Sequence, residues 1–503
     1  MPAVSSQLAF LAALAIVRAL RAQGYEAYLA GGCVRDLLVG RAPKDYDVAT
    51  SAEPSVVLDL FPRTFAVGAH FGVVLVSEIV EGQPTLTEVA TFRSDGSYSD
   101  GRRPDAVRYT LSAQEDVQRR DFTINGLLLD PEVLAPKILA TEISVSGIDA
   151  EAQRPSVAAW DTATLRAAVT DYVEGLADLE RGLIRAIGDP TLRFEEDHLR
   201  MLRAIRFAAR FEFEIDPATF RAIQANAARI TQVSNERVRD ELTRMLTEGH
   251  ARRAFELLDA SGLLAQVLPE AARMKGVEQP PEFHPEGDVW THTLILLDQL
   301  KPELVSEPGA ALTPTLAWGA LLHDIGKPAT FTPPSGPGDR IRFNGHVEVG
   351  EAIAAQILRR LRFSNEESSQ ILALVHNHMR FGDVHHMKAA TLKRFFRLDR
   401  FPEHLALHRM DASASHGALN NYLYARKEYE SMPEEEVRPQ PLVTGRELIA
   451  LGYQPGPQFK AILHAVEEAQ LEGRLKTPEE AMAFIETHFQ LDPSSPFDPY
   501  SLP

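Results

Sequence analysis

The sequence predicts an α+β chain: a small mixed sheet with helices at the N-terminus, then a long all-α remainder. Three observations carry this. Two β-branched runs of strand length, "FGVVLV" at Phe71–Val76 and "LTEVATF" at Leu86–Phe92, fall early in the chain. From about residue 173 onward, apolar residues recur at the helix period, as in "DHLRMLRAIRFAARF" and "NERVRDELTRML". Finally, 503 residues are too many for one core, so roughly two to four domains are expected.

At 45% apolar and 24% charged residues, the composition is that of a globular protein. A net charge of −18 argues against non-specific polyanion binding by the whole surface, but leaves room for a local basic cleft. A single cysteine excludes an intramolecular disulfide framework and a Cys-rich zinc site, and fits a reducing compartment. "LAFLAALAIV" (Leu8–Val17) has no positive segment before it and is followed by Arg18 and Arg21. It therefore predicts an amphipathic first helix rather than a signal peptide, and it is too short to span a bilayer. The chain is expected to be cytoplasmic, with no membrane segment.

The first residues read as a helix stopped by Gly24, and "EAYLA" as a short strand running into "GGCVRD". "SDGSYSDGRRPD" (Ser94–Asp105) reads as a loop that ends basic. The chain divides into a sheet-containing head at 1–132, a low-charge insertion or linker at 133–172, and a helical neck and body at 173–273. A histidine-rich helical domain at 274–430 follows. Residues 431–503 read as a helical tail whose end, "LDPSSPFDPYSLP", is expected to be disordered.

"KDYDVAT" (Lys44–Thr50) places Asp45 and Asp47 two apart. In a strand both side chains share a face, and two like charges there are costly unless a cation lies between them. Just upstream, Gly31 and Gly32 sit between a strand and a helix, where backbone N–H groups can cradle an anion; Arg35 adds a fixed charge. A phosphate cradle beside a two-carboxylate metal site is the layout that nucleotidyl transfer needs, with Mg²⁺ ions serving the attacking hydroxyl and the triphosphate. In "RRDFTINGLL", Arg120 reads as a phosphate or ribose contact. A helix at 196–210 would align Arg200, Arg203 and Arg206 in one stripe, with Arg210 nearby and Asp197 on the same face as Arg200. A carboxylate only accepts hydrogen bonds and a guanidinium only donates them. An Asp197–Arg200 pair therefore suits the Watson–Crick edges of C and A against U and G, a discrimination of roughly 1–3 kcal/mol.

"YLAGGCVRDLLVGRAPKDYDVAT", "TEVATFRSDGSYSDGRRPD", "RRDFTINGLL" and "EEDHLRMLRAIRFAARF", in that order, resemble the class II tRNA nucleotidyltransferase and bacterial poly(A) polymerase family. The resemblance covers roughly residues 25–270 apart from the insertion. It implies a polymerase-β-like nucleotidyltransferase head followed by an all-α neck and body. It further implies Asp45 and Asp47 as catalytic metal ligands for Mg²⁺, and Gly32, Arg35 and Arg120 as nucleotide contacts. Glu196, Asp197 and Arg200 match the family's protein template, and Arg203 and Arg206 its further nucleotide contacts. Glu88 reads equally as a third cleft carboxylate or as an outward strand residue.

The second constellation is His292, the adjacent pair His323-Asp324, then His346, His376, His378 and Asp411. Imidazole with carboxylate suits Mn²⁺, Fe²⁺, Ni²⁺ or Zn²⁺. The order of these residues resembles the HD metal-dependent phosphohydrolase superfamily over about residues 284–420, and implies an all-α HD domain. His292, His323, Asp324 and Asp411 are then the core ligands, with His346 and His376 serving a second ion; His378, His385 and His386 are weaker candidates. The implied chemistry is metal-dependent phosphoester hydrolysis.

The expected function is template-independent addition of C and A to the tRNA 3′ end from CTP and ATP, with an appended HD phosphohydrolase domain. Neither DNA nor a membrane is an expected partner. The alternatives are an A-adding tRNA nucleotidyltransferase, a poly(A) polymerase, or, from another class, an HD phosphohydrolase whose head only binds RNA. The intact Ser94–Asp105 loop argues against a CC-only enzyme, because the resemblance ties a shortened loop to that activity.

Overall fold

The computed structural model describes residues 6–65, 72–95, 107–134, 162–305, 311–415 and 417–489. Most of the Ser94–Asp105 loop, the centre of the 133–172 insertion and the expected disordered tail lie outside the described residues. The chain divides into two compact units, Met1–Pro269 and Glu270–Pro503. The architecture is mixed α+β: a seven-stranded sheet and two two-stranded pairs in the first unit, with helices elsewhere; one pair, Leu183–Ile184 with Glu214–Ile215, falls in the neck and body expected to be all-α.

The strands of the first unit are β1 (Ala27–Ala30), β2 (Asp47–Thr50), β3 (Thr64–Phe65), β4 (Val73–Val80), β5 (Gln83–Thr91), β6 (Arg93–Asp95), β7 (Val107–Tyr109), β8 (Leu127–Leu129), β9 (Val169–Asp171), β10 (Leu183–Ile184) and β11 (Glu214–Ile215). The main sheet runs β3-β4-β5-β2-β1-β8-β9, and β6 pairs with β7 in a separate ribbon. Its alternation is plain in β5, where Thr85, Thr87 and Val89 are buried and Leu86 and Glu88 face out. The helix Ser6–Ala22 lies across the sheet and buries Phe10, Leu14 and Val17 in one core with Leu29, Val48, Val74 and Val89. The apolar run at Leu8–Val17 is therefore core material.

The expected helix at 196–210 is two helices, Pro190–Glu196 and Leu199–Phe211. Asp197 leaves the helical region (φ −145°, ψ 105°), and its carboxylate accepts the Leu199 backbone N–H at 3.1 Å. A short carboxylate competes with the backbone ladder in this way and favours a helix start over a helix interior. The second helix packs through Phe207 edge-on against Phe122, at 5.9 Å between ring centroids.

In the second unit, the helices Val289–Leu297, Pro314–Leu322, His346–Arg360, Asn365–Asn377 and Phe401–Ala414 pack around the histidine cluster. Two further apolar cores follow, one around Phe381, Phe395 and Phe401, the other around Leu448, Ile462 and Ile485. Close approach of the chain at Gly326 brings His346 beside the His323-Asp324 turn: a Cβ on Gly326 would lie 2.1 Å from the His346 carbonyl oxygen. Gly326→Ala is expected to destabilise the second unit by about 1–3 kcal/mol through overpacking, measured by urea denaturation.

Candidate active site and candidate metal centre

Strand register builds the first site. Asp47 opposes Ala30, the last residue before Gly31, and the parallel pairing of Val48 with Val89 sets Glu88 beside Asp47. The strand begins at Asp47, so Asp45 lies in the segment leading into it. Between the two carboxylates the Tyr46 ring is buried on the opposite side, edge-on to Phe10 at 5.6 Å. Asp45, Asp47 and Glu88 all line one cleft of about 840 Å³. Burial, then the charges of Glu88 and Asp45, push the Asp47 carboxyl up to about 7 against the opposing pull of Arg120. Three oxygen-donor carboxylates that repel one another in this way fit a hard divalent cation such as Mg²⁺.

Gly31 has φ +73°, and a Cβ there would lie 3.1 Å from the Arg120 guanidinium. Glycine thus serves both the turn and the close approach of Arg120. Gly32, Arg35 and Arg120 all line the cleft. Arg120 is held by Asp116 at 2.9 Å. Arg35 is buried and fully engaged: Asp36 takes its Nε and one terminal nitrogen, Asn125 takes the other, and its guanidinium lies over Phe207 and Phe211 at 5.0 and 4.6 Å. In this structure Arg35 organises the cleft floor rather than offering a free charge.

Asp197, Arg200, Arg203 and Arg206 line the same cleft, but not as the pair expected. Asp197 is bound by Arg237 at 2.8 Å, whereas Arg200 donates to Glu196 at 2.5 Å and to the carbonyls of Arg193 and Arg119. The helix break at Asp197 separates the two side chains that an unbroken helix would have placed on one face. Arg203 pairs with Asp121 at 2.8 Å and Arg206 is buried against Glu241 at 2.7 Å. Burial would raise the Asp121 carboxyl, but Arg203, the Asn125 hydrogen bond and Arg200 hold it down at about 2. Asp121, Asn125 and Arg237 went unnoticed in the sequence. Asp121 follows the two arginines of "RRD" directly, whereas Arg237 carries no local signal.

The second site gathers histidines from four helices and the turns at their ends. His323, His346 and His378 each direct Nδ1 at a backbone carbonyl three residues earlier, at 2.9, 3.0 and 2.6 Å. A carbonyl can only accept, so Nδ1 carries the proton and Nε2 keeps its lone pair. The Nε2 atoms of His292 and His323 are buried without a hydrogen-bond partner. They lie near the carboxylates of Asp411 (3.1 and 4.0 Å) and Asp324 (4.0 and 3.2 Å). The Nε2 atoms of His346 and His378 are 3.3 Å apart, and 3.7 and 3.8 Å from the other Asp324 oxygen. Two lone pairs facing each other at that distance call for a proton or a cation between them. Asp324 thus stands between two ligand groups, His292/His323/Asp411 and His346/His378, and both fit a divalent ion that accepts imidazole and carboxylate. Lys327 donates to Asp324 at 2.7 Å and to Gln279 at 2.7 Å.

His376 does not join this cluster. The helix Asn365–Asn377 carries its imidazole to the exposed side, where Nδ1 meets Glu351 at 2.8 Å; His378, just past the helix end, turns inward instead. The His385 ring lies tilted against Tyr424, at 4.2 Å between centroids, and His386 is exposed. His378→Ala is expected to weaken binding of a second divalent ion about 10-fold or more while His376→Ala leaves it unchanged, measured by equilibrium dialysis with metal analysis.

Three families match the chain: Poly A polymerase head domain at residues 27–139, probable RNA and SrmB-binding site of polymerase A at 212–275, and tRNA nucleotidyltransferase domain 2 (putative) at 343–485. The CCA-adding enzyme of Geobacillus kaustophilus is 34% identical over 339 residues, which cover 64% of this chain and 73% of that protein. The chain belongs to the CCA-adding enzyme family. The CCA-adding enzyme of Lactobacillus gasseri is 36% identical over 292 residues, covering 57% of this chain and 64% of that protein. The crystal structure of the Bacillus stearothermophilus CCA-adding enzyme in complex with CTP superposes with a TM-score of 0.66 at 26% identity, over 95% of this chain and 98% of that one. The chain spans 64% of the length of the first two curated CCA-adding enzymes it matches. None of the three family matches spans His292, His323 or Asp324. Among the described residues, no helix is long and apolar enough to cross a membrane.

Proposed function

We propose that this protein adds C and A residues to the 3′ end of tRNA without a nucleic-acid template, using CTP and ATP. One observation carries the reading: the carboxylates Asp45, Asp47 and Glu88 share a single cleft with Asp197 and Arg200. A Mg²⁺ ion held by Asp45 and Asp47 would supply charge neutralisation for the triphosphate and acidify the tRNA 3′ hydroxyl. The residues of the chain do the rest. Gly31 and Gly32 admit the phosphates close to the backbone, and Arg120 beside them offers positive charge. The base meets the far end of the cleft. To read the base, Asp197 would turn from Arg237 to accept the amino group of cytosine or adenine, and Arg200 would turn from Glu196 to donate to the ring nitrogen beside it. Three of the five Arg200 N–H groups are already engaged, which aims the remaining ones. The cytoplasmic location read from the sequence belongs to this proposal.

The test is incubation with Mg²⁺, labelled CTP or ATP, and tRNA transcripts ending before CCA, after C, or after CC. Labelling of the first transcript with both nucleotides supports CCA addition; labelling of the CC-ended transcript alone means A addition; no extension of any transcript sinks the proposal. Arg237 holds the Asp197 carboxylate, so Arg237→Ala is expected to loosen base choice. The kcat/KM ratio of CTP over UTP should fall about 10-fold, the size of one lost hydrogen-bond discrimination of about 1–3 kcal/mol.

A second activity is favoured by the His292/His323/Asp324/Asp411 arrangement with His346 and His378 alongside. We propose an HD-type, metal-dependent phosphohydrolase site loaded with Mn²⁺, Fe²⁺, Ni²⁺ or Zn²⁺, which would polarise a phosphoester and its attacking water. The unpartnered Nε2 atoms of His292 and His323 support it. Beside the ligands lies a cavity of about 630 Å³ lined by Lys327, Arg340 and His284, cationic or neutral donors suited to a phosphate.

A further inference from the structure

We infer that Glu286 is a positioning residue of the second site, one carboxylate that fixes the metal-binding tautomer of His292 and also anchors His284 at the adjoining cavity. The inference rests on reading that site as a metal centre. It starts from an asymmetry among the four inward histidines. Three of them give their Nδ1 proton to backbone carbonyls, those of Ala320, Phe343 and Val375. His292 is the exception. It lies within the helix Val289–Leu297 rather than in the turn at a helix end, and its ring turns to Glu286, with Nδ1 2.7 Å from Oε1.

The change of acceptor matters. A carboxylate draws the imidazole proton more strongly than a neutral carbonyl does, and so leaves Nε2 the more basic donor. It also forbids the tautomer in which Nε2 carries the proton. Both effects act on the ligand nearest Asp411, at 3.1 Å. The Glu286 side chain is almost entirely buried, and its Oε2 has no hydrogen-bond partner, so the carboxylate is committed to this contact rather than to solvent.

The same Oε1 accepts from a second imidazole. His284 Nδ1 lies 2.9 Å away, and its ring meets that of His292 edge-on at 5.0 Å. His284 is outside both ligand groups but lines the cavity with Asp324, Lys327, His346 and His378. With Nδ1–H pinned on Glu286, its Nε2 is left to contact whatever enters. Glu286 therefore ties the first ligand of the metal to a ring that borders the substrate space.

His284, Glu286 and His292 are also close enough together to hold an ion of their own. That would require the His292 Nδ1 lone pair. A neutral ring would then carry its proton on Nε2, facing His323 and Asp411, and the main ligand group would lose a member. Donation by both imidazoles to Glu286 Oε1 avoids that loss.

Titration with Co²⁺ tests this, because its visible spectrum reports ligand type and geometry. The full chain carrying Asp45→Ala and Asp47→Ala keeps the first site silent. Glu286→Ala in that background is expected to weaken Co²⁺ binding about 10–100-fold and to shift the visible bands. Glu286→Gln, which keeps an acceptor oxygen without the charge, should fall between; it also serves if the alanine variant does not fold. His284→Ala should leave Co²⁺ affinity within about threefold, since it removes no ligand. Unchanged affinity and spectrum in both Glu286 variants overturn the inference and leave the metal site standing. A His284→Ala loss as large as that of Glu286→Ala also overturns it, and makes the trio an ion site instead. If the parent chain binds no Co²⁺, the metal-centre reading and this inference fall together.

Discussion

Asp47→Asn is expected to lower nucleotide addition by about 10³-fold or more while leaving CTP binding within about threefold, because metal-assisted charge stabilisation contributes several kcal/mol in the transition state and little to the ground state. The geometry explains why this one carboxylate matters so much. Asp47 is the first residue of its strand, pinned opposite Ala30 on one side, while the parallel pairing of β2 and β5 sets Glu88 beside it on the other. Its carboxyl is pushed up to about 7 by burial, then by Glu88 and Asp45. Such a group is ill placed as a lone anion and well placed as part of a cation's shell. Asparagine keeps the volume and one oxygen but not the charge. Single-turnover extension of a CC-ended tRNA at saturating ATP, with nucleotide binding followed separately by filter retention, separates the two quantities. A variant that extends tRNA at the parent rate removes Asp47 from the chemistry. A variant that loses binding and rate in equal measure makes it a nucleotide-binding residue instead.

Legibility differed between features for reasons that can be traced. That Asp45, Asp47, Gly31, Gly32 and Arg35 share one cleft could be read because they lie within one short run of chain, where spacing fixes relative position. The head's sheet was readable from its β-branched runs, and the first helix from its apolar face. What depended on partners far along the chain was not. Asp197 finds Arg237, forty positions on, and no periodicity links them. The break between Glu196 and Leu199 was invisible to a helix pattern that continues across it, and it took Arg200 away from Asp197. His376 and His378 look alike in sequence. Which one faces inward depends on where the helix Asn365–Asn377 ends, and boundaries are the least certain part of any pattern reading. Glu286, six residues before His292, carried no signal at all until the fold brought its oxygen to two imidazoles.

Asp324→Asn is expected to abolish divalent-ion binding at the second site and to lower any phosphohydrolase rate there by about 10³-fold or more, while tRNA extension by the variant carrying Asp324→Asn alone stays at the parent rate. Asp324 is the one ligand common to both groups. One oxygen faces His292 and His323, the other His346 and His378. Burial would raise its carboxyl, yet the Lys327 ammonium 2.7 Å away holds it well below the usual carboxylate range. An amide has a single acceptor oxygen and a donor nitrogen, so it can serve one ligand group at most and presents N–H to the other. Loss of one bridging charge therefore costs both positions, whereas loss of His346 or His378 costs only one. Counting bound Mn²⁺ per chain in the Asp45→Ala/Asp47→Ala background, for Asp324→Asn and His378→Ala side by side, decides it. Zero equivalents for the first and one for the second is the bridged arrangement. Equal loss in the two means that Asp324 serves a single ion, and full occupancy in Asp324→Asn removes it from the ligand set.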